Sequence, residues 1–330
     1  MMLTAVSIMT ACSNDEADKS YYPKDNVVRI TTNVNAPATR GSYTDDNLAE
    51  MGLSIKNPQS LDVYTYNNIR VNRNDGSTVW TPAQTMLWQN SKTEVDIVAY
   101  APYNANYTLP EGTQSLCDVS AFPVSVETSQ TASSNASDFL VYKSVGFKPY
   151  TDLNTHSAIS VNFDHAMSLL DIEISLGTEF DATAAGGRLS ASPIQNLAVV
   201  GTRVSGVCNF TLTKPTVHAD NAVAASNVAP YFVSFTPSSG EAGQNVVRAK
   251  AEFLCILVPQ TVAPDNFQVA FDVNGVTYLW KSTEPVTLEG GNSYKLKLSV
   301  GKDQVVAGGM SVKKWDIVDP SEFKSNIETD

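Results

Sequence analysis

Three histidines are the residues best suited to chemistry in this chain, but their spacing builds no metal or catalytic site. His156, His165 and His218 have no second ligand two to four positions away in an arrangement that marks zinc. The G-x-S-x-G, P-loop and H-E-x-x-H motifs are also missing from the sequence. We therefore expect no enzyme, no metal and no cofactor. His165 is interpreted as a structural residue that donates to a backbone carbonyl.

Two carboxylates in one predicted strand are the next candidates, because paired acids on one face could serve glycoside hydrolysis. Asp171 and Glu173 alternate with Ile172 and Ile174, so the acids share one face and the isoleucines share the other. Since the isoleucines are expected to face a core, the acids are predicted to line the solvated face.

Calcium and sugars are two further ligands that the residues suggest. The sequence N-R-N-D-G at 72–76 begins with Asn and fails the calcium spacing D-x-[DN]-x-[DN]-G, so it predicts a hairpin turn. The tryptophans could stack on sugars, but in a sandwich they are expected in the core or at an interface. They are Trp80, Trp88, Trp280 and Trp315.

The sequence around Cys12 suits lipid attachment. Residues 1–11 are mostly apolar or small, and the sequence turns polar directly after Cys12. The residues M-T-A-C resemble a lipobox, in which the cysteine thiol receives diacylglycerol and becomes the mature N-terminus. Residues 1–11 hold no Lys or Arg, so the charged part of a signal peptide is missing. An incidental cysteine in a fragment of a conventional signal is the alternative.

The remaining cysteines are odd in number, and their spacing fits no metal site. Cys208 and Cys255 lie in V-S-G-V-C-N-F and A-E-F-L-C-I-L-V, which predict buried thiols. One disulfide among Cys117, Cys208 and Cys255 stays open as an alternative.

A basic residue followed by glycine, Arg40-Gly41, lies in a Pro-, Asp- and Ser-containing stretch without strand or helix periodicity. Exposed loops of this kind are where proteases draw a chain into their active sites. Residues 27–34, just before the loop, alternate so that one face would pack in a groove. Proteolytic processing between Arg40 and Gly41 would free that strand. A solvated loop arginine with no such role is the alternative.

The elements that must position these residues are short strands. Val, Thr, Tyr and Phe alternate with polar residues, and clusters of Gly, Pro, Asn, Asp and Ser separate the runs. A short helix is predicted over 45–53, a loop over 102–137, and a hairpin at Asn274-Gly275. The predicted strands are 27–34, 61–66, 86–88, 94–102, 138–143, 158–163, 167–176, 194–200, 206–213, 230–235, 246–258, 267–273, 276–281 and 293–300.

The charge balance excludes one class of partner. The chain has 22 basic and 34 acidic residues and a net charge of -12, which repels phosphate backbones and anionic headgroups. Nucleic-acid binding is therefore not expected. No apolar run reaches the ~20 residues of a spanning helix.

Residues 157–176 organise the domain prediction, because two alternating runs meet there at Asp164-His165. A chain of 330 residues suits two domains, and this corner lies near its middle. We predict a signal peptide over 1–11, a polar tether over 12–25, one sandwich over 26–155, and a second over 156–330 that ends in a C-terminal strand or tail.

The segment V-N-F-D-H-A-M-S-L-L-D-I-E-I-S-L at 161–176 resembles the F-x-H segment of fimbrillin-like (Mfa-like) lipoproteins, the pilin family of type V pili in Gram-negative anaerobes. Other segments of this family occur in the same order and cover nearly the whole chain. They are the lipobox at Cys12, Thr39-Arg40, 95–104, 137–143, 288–300 and 312–315.

The resemblance implies an all-β fold of two tandem transthyretin-like antiparallel β-sandwich domains. It also implies a structural or adhesive subunit of a type V pilus (fimbria), carried to the outer membrane and cell surface by lipid on Cys12. In the family an arginine-specific protease removes an N-terminal strand, and the vacated groove accepts a strand from another pilin subunit. The cut would fall at Arg40-Gly41, and 310–318, M-S-V-K-K-W-D-I-V, is the candidate donor.

A different class stays open beside the pilin. An outer-membrane surface glycan-binding lipoprotein would present aromatic platforms to polysaccharide, and host or bacterial surface ligands would be its partners. A hydrolase is the least supported class because no catalytic motif occurs.

Overall fold

The fold is built from β-strands, as the sequence predicted. The computed structural model describes residues 20–35, 42–60, 63–73, 79–132, 135–180, 188–239, 247–302 and 304–315. The strands up to the chain centre are β1 (Ile30–Val34), β2 (Glu50–Lys56), β3 (Tyr66–Asn72), β4 (Thr81–Pro82), β5 (Val95–Ala101), β6 (Phe122–Ser125), β7 (Leu140–Phe147), β8 (Ile159–His165) and β9 (Ser168–Leu176).

The second half continues with twelve strands among the described residues and no α-helix there. They are β10 (Ile194–Thr202), β11 (Ser205–Asn209), β12 (Thr216–Ala219), β13 (Ser226–Val228), β14 (Tyr231–Thr236), β15 (Lys250–Leu257), β16 (Gln260–Val262), β17 (Gln268–Val273), β18 (Val276–Lys281), β19 (Val286–Leu288), β20 (Asn292–Val300) and β21 (Val305–Lys314). One α-helix, α1 (Pro149–Asp152), precedes β8.

A seven-stranded sheet, ordered β1-β8-β7-β5-β2-β3-β4, collects the N-terminal strands. Alternate residues of these strands, among them Leu53, Ile97 and Val161, are fully buried in one apolar cluster. Trp88 and Met86 lie in the same cluster, so the segment that contains them covers this face of the sheet.

The C-terminal half holds a second core between two sheets. One has five strands, β14-β15-β9-β20-β21, and the other has four, β13-β10-β17-β18. Ile172, Val199, Phe271 and Leu296 come from both sheets into one cluster and are no more than 1% exposed.

A three-stranded sheet, β12-β11-β6, joins the two halves, because β6 precedes the chain centre and β11 follows it. Its core holds packed aromatic rings, with Phe122 lying 4.7 Å from Tyr100 and 5.3 Å from Phe210 between ring centroids.

Among the described strands two pairs run parallel, unlike the antiparallel pairs that the sequence predicted. They are β1 with β8 and β9 with β20. Hairpin signals report only on neighbouring strands in the chain, whereas parallel partners need a crossover connection. The Asn274-Gly275 hairpin is confirmed, with φ of 52° and 81° between β17 and β18.

The chain leaves the first sheet between β8 and β9. β8 pairs with β1 and β7 in the seven-stranded sheet, and β9 pairs with β15 and β20 in the five-stranded sheet. Alternation marks both strands without saying which sheet each one joins. The division into 26–155 and 156–330 stays a prediction.

The short helix predicted over 45–53 is wrong. Residues 45–47 form a turn, and β2 begins at Glu50 and runs between β3 and β5. Met51 to Ile55 are all buried, so both faces of the strand are covered and no alternation reveals it. Of the strand predicted at 61–66, residues 63–65 are not in a strand and β3 begins at Tyr66, while 61–62 lie outside the described residues, as do 74–76 of the predicted turn. The predicted strand 86–88 forms only an isolated bridge, and β6 falls inside the predicted loop.

Candidate functional site

The segment that leads toward Arg40 is held on two sides. On one side, Val27 forms an antiparallel bridge with Leu87, and the Val28 N–H donates to the Met86 carbonyl at 2.9 Å. The chain then enters β1 and pairs with β8 on the other side. We call the space between 86–88 and β8, which residues 26–35 fill, the β1 slot.

β1 is a terminal strand of its sheet, so its outer edge pairs with no other strand of that sheet. Its register with β8 is parallel and places Ile30 opposite Ile159 and Val34 opposite Phe163. Val28, Ile30 and Val34 are only 2%, 5% and 6% exposed. The inner face predicted from alternation is therefore packed in the N-terminal core.

Cys12, Arg40 and Gly41, the predicted lipidation and processing residues, lie outside the described residues. The chain is anchored on each side of 36–41. The Asn35 N–H donates to the Phe163 carbonyl of β8 at 3.1 Å, and Ser42 is only 1% exposed.

A buried carboxylate lies beside the residues that follow Gly41. Asp138 accepts a hydrogen bond from the Tyr43 N–H at 2.7 Å on one oxygen, and its other oxygen lies 2.8 Å from His165 Nδ1. The side chains of Asp138 and His165 are both fully buried. Burial, together with the Asp138 and Glu50 carboxylates, raises the pKa of Tyr43 to about 12.

The indole of Trp315, which directly follows β21, covers this pair. It stacks on the His165 ring with 4.3 Å between centroids and 13° between planes, and Trp315 is 2% exposed. The backbone N–H of Trp315 donates to the Gly291 carbonyl at 2.8 Å, and the backbone N–H of Gly291 donates to the Met167 carbonyl at 2.8 Å. Gly291 has φ of 74°, a conformation that favours glycine.

Segments far apart in the sequence therefore meet at one buried point. The structural role predicted for His165 agrees with its burial, and its Nδ1 contacts the Asp138 carboxylate instead of the predicted backbone carbonyl. Sequence reasoning missed Asp138. Its signal is an acid placed directly before an apolar strand, in S-D-F-L-V-Y-K.

Of the predicted candidates among the described residues, Trp315 joins this point, whereas Trp80, Trp88, Asp171 and Glu173 lie elsewhere. Trp80 and Trp88 are buried core residues, as predicted. Asp171 and Glu173 share one face, but they are only partly exposed and both lie within 3.5 Å of the Lys295 ammonium. Among the described residues no cluster of His, Cys, Asp or Glu could hold a metal ion.

The three described cysteines are buried and unpaired as thiols, so no disulfide joins them. Burial raises the pKa of Cys117 and Cys255, and it raises the pKa of Cys208 to about 12. Thiols held in the protonated form in apolar surroundings are inert core residues.

The family model described as fimbrillin-like matches residues 35–315. The chain belongs to the fimbrillin-like family. No curated protein matches this fimbrillin-like chain. A putative cell adhesion protein from Bacteroides uniformis is 18% identical, with a TM-score of 0.56 over 89% of this chain and 99% of that chain. A second one, from Bacteroides ovatus, is 16% identical, with a TM-score of 0.60 over 89% and 99%. These similarities are ones of fold.

The C-terminal strand of this fimbrillin-like chain is also an edge strand. β21 lies at the end of the five-stranded sheet and pairs only with β20 in it. The register shifts between Lys297 and Leu298, and Gly309 opposite has φ of 111°. Val306 and Val312 are 51% and 58% exposed. The described part of the chain contains no helix long and apolar enough to cross a membrane.

Proposed function

We propose that this chain is a structural or adhesive subunit of a cell-surface pilus, in which protease-triggered strand exchange replaces β1 by a strand from another subunit. The observation that carries the proposal is the β1 slot. A single terminal strand there fills an apolar groove and directly precedes residues 36–41, the segment of the sequence that contains Arg40.

Packing explains why β1 would stay bound after a cut and why an empty slot would seek a new strand. Burial of Val28, Ile30 and Val34 stabilises the segment by about 5 to 9 kcal/mol in total, taking about 1.5 to 3 kcal/mol for each side chain. The Ile159 N–H donates to the Arg29 carbonyl at 2.8 Å and would lose this acceptor. Departure of β1 therefore exposes apolar surface and an unpaired edge, which strand addition would cover.

The donor in this proposal comes from the C-terminal segment 310–318. Its first five residues are the end of β21 and already pair with β20, from Met310 opposite Leu296 to Lys314 opposite Asn292. Donation of these residues would therefore require β21 to leave β20. An edge position, a register shift and two exposed valines are features of a strand that can be exchanged.

Lipid on Cys12 would hold the precursor at the outer membrane before assembly. The support is the M-T-A-C sequence followed directly by a polar tether. Labelling of cells with a lipid-chain precursor should mark the wild type and leave Cys12→Ser unmarked. Equal labelling of both proteins would remove the lipid anchor from the proposal.

Limited proteolysis tests the processing step. Purified soluble protein is treated with a low dose of a trypsin-like protease while its N-terminus and its size are followed together. We expect a new N-terminus at Gly41 and the appearance of multimers, and neither with Arg40→Gln. Resistance at Arg40, or clean cleavage without any change in association, would contradict the proposal.

The glycan-binding alternative receives no specific support from the tryptophans, because Trp80, Trp88 and Trp315 are buried in cores. Electron microscopy of overexpressing cells with an antibody to the C-terminal half separates the two. Labelled filaments support the pilus subunit, whereas their absence together with binding on a glycan array supports the alternative.

A further inference from the structure

We propose that Tyr43, Asp138, His165 and Trp315 form a latch that couples β1 to β21, so that loss of either edge strand loosens the other. The inference rests on the proposed strand exchange for its biological use. It goes beyond that exchange because it links the strand that leaves to the strand that would be donated.

Asp138 is the centre of the latch. Its two oxygens are used by different segments, one by the Tyr43 N–H at 2.7 Å and the other by His165 Nδ1 at 2.8 Å. Both side chains of the Asp138–His165 pair are fully buried. A buried carboxylate is tolerated only while hydrogen-bond donors surround it, so a change at one oxygen alters the stability of the contact at the other.

The N-terminal arm of the latch runs through the end of β1. The Val34 N–H donates to the Asp45 carboxylate at 2.7 Å, which fixes β1 to the turn at 45–47 that begins two residues after Tyr43. The same turn is braced by Asn47, whose side chain accepts from the Thr44 N–H at 2.7 Å and donates to the Ser42 carbonyl at 3.0 Å.

β1 also touches the strand that ends in His165. The Asn35 N–H donates to the Phe163 carbonyl at 3.1 Å, and the Asn35 amide lies 3.4 Å from an oxygen of Asp164. Removal of β1 therefore takes a hydrogen-bond donor from Asp45, in the turn that follows Tyr43, and from the last residues of β8, the strand that ends in His165.

The C-terminal arm is Trp315. Its ring lies flat on His165 with 4.3 Å between centroids, and its backbone N–H donates to the Gly291 carbonyl in the turn before β20. Trp315 therefore attaches the end of β21 to the corner between β8 and β9. If His165 moves, Trp315 loses its stacking partner at the point where β21 ends.

Coupling of this kind is reciprocal, because each strand must stabilise the other by the same free energy. In the closed monomer the latch protects β21 from early exchange while β1 is in place. Once β1 leaves, β21 becomes easier to release. A subunit with an open slot would thus also be a subunit with an available donor.

The coupling is tested by changing Trp315, at the end of β21, and measuring hydrogen exchange at the amides of β1 in the intact chain by mass spectrometry. Trp315→Leu removes the stacking ring and should raise the exchange rate in β1 at least fivefold. Coupling between two sites is ordinarily about 5-fold to 150-fold, and the expected increase is the lower end of that range. Trp315→Phe keeps a stacking ring and should restore most of the protection. Val312→Ala changes an exposed side chain on β21 and should leave exchange in β1 at the wild-type rate. Exchange in β18 should stay at the wild-type rate in every variant.

Asp138→Asn provides a second measurement that keeps the size of the side chain. The amide oxygen can still accept from the Tyr43 N–H, but the other atom is then an N–H₂ group that faces His165 Nδ1 and cannot accept from it, so a proton on Nδ1 would have no acceptor. Exchange should then rise in both β1 and β21. Unchanged exchange in β1 for Trp315→Leu, or an equal rise for Val312→Ala, would overturn the latch. The hydrogen-exchange measurement uses no protease. If the chain is not cleaved after Arg40, that result contradicts the proposed processing and leaves the test of the latch valid.

Discussion

Replacement of Ile30 with alanine should weaken the hold of the β1 slot on its own strand. Ile30 is 5% exposed and packs in the N-terminal core opposite Ile159. Truncation of a buried isoleucine to alanine costs about 2 to 5 kcal/mol, and the lower value suits a terminal strand that can relax. A loss of about 2 kcal/mol corresponds to about 30-fold weaker retention, since each 1.4 kcal/mol is a factor of ten.

The assay measures retention after a controlled cut. A site for a sequence-specific protease is placed within residues 36–41, the purified protein is cut, and size-exclusion chromatography separates it at a series of dilutions. The fraction of N-terminal fragment that elutes with the rest of the protein at each dilution gives the affinity of the slot for β1. The midpoint of release should move to a concentration about 30-fold higher in Ile30→Ala.

Asn33→Ala is the matched control, because Asn33 lies in the same strand with an exposed side chain. Its retention should equal that of the wild type. Equal release from Ile30→Ala and Asn33→Ala would refute the argument that apolar packing in the slot holds β1, as would full retention of the Ile30→Ala fragment at every dilution.

Two further predictions concern the cores. Gly52→Ala should lower the melting temperature by several degrees, because the added Cβ would lie 2.3 Å from the Tyr100 ring in the N-terminal sheet. An unchanged melting temperature would contradict this packing. Cys117, Cys208 and Cys255 should resist a thiol reagent at pH 8 in the native protein and react once it is unfolded, because burial raises their pKa values and keeps the thiols protonated; rapid native labelling would show that a thiol is accessible.

Much of the strand pattern could be predicted from the sequence, because half-buried strands alternate. Both runs around His165, the Asn274-Gly275 hairpin and the β-rich C-terminal half follow from that period. β2 could not be predicted, since a strand buried on both faces shows no alternation.

The candidate site could be predicted only in its parts. Alternation marked 27–34 as a strand that would pack in a groove, and β1 does so. The latch joins Asp138 to His165 across 27 positions and brings in Trp315 from the other end of the chain. No local pattern contains such a contact, since it depends on which strands pair. The family segments that contain these residues could be recognised in the sequence, but the sequence did not show that the residues contact one another.

A reversible disulfide between β1 and β8 is the most direct measurement of strand exchange. Asn33 and Asn162 are register partners with exposed side chains, and neighbouring strands lie about 4.8 Å apart, within the Cα separation of about 4.4 to 6.8 Å that a disulfide spans. Asn33→Cys/Asn162→Cys would thus lock β1 in its slot without touching the core. After cleavage at Arg40, the oxidised protein should keep its N-terminal fragment and stay monomeric, and added reductant should release the fragment and allow multimers to form. Multimers of the oxidised, cleaved protein would contradict exchange at the β1 slot.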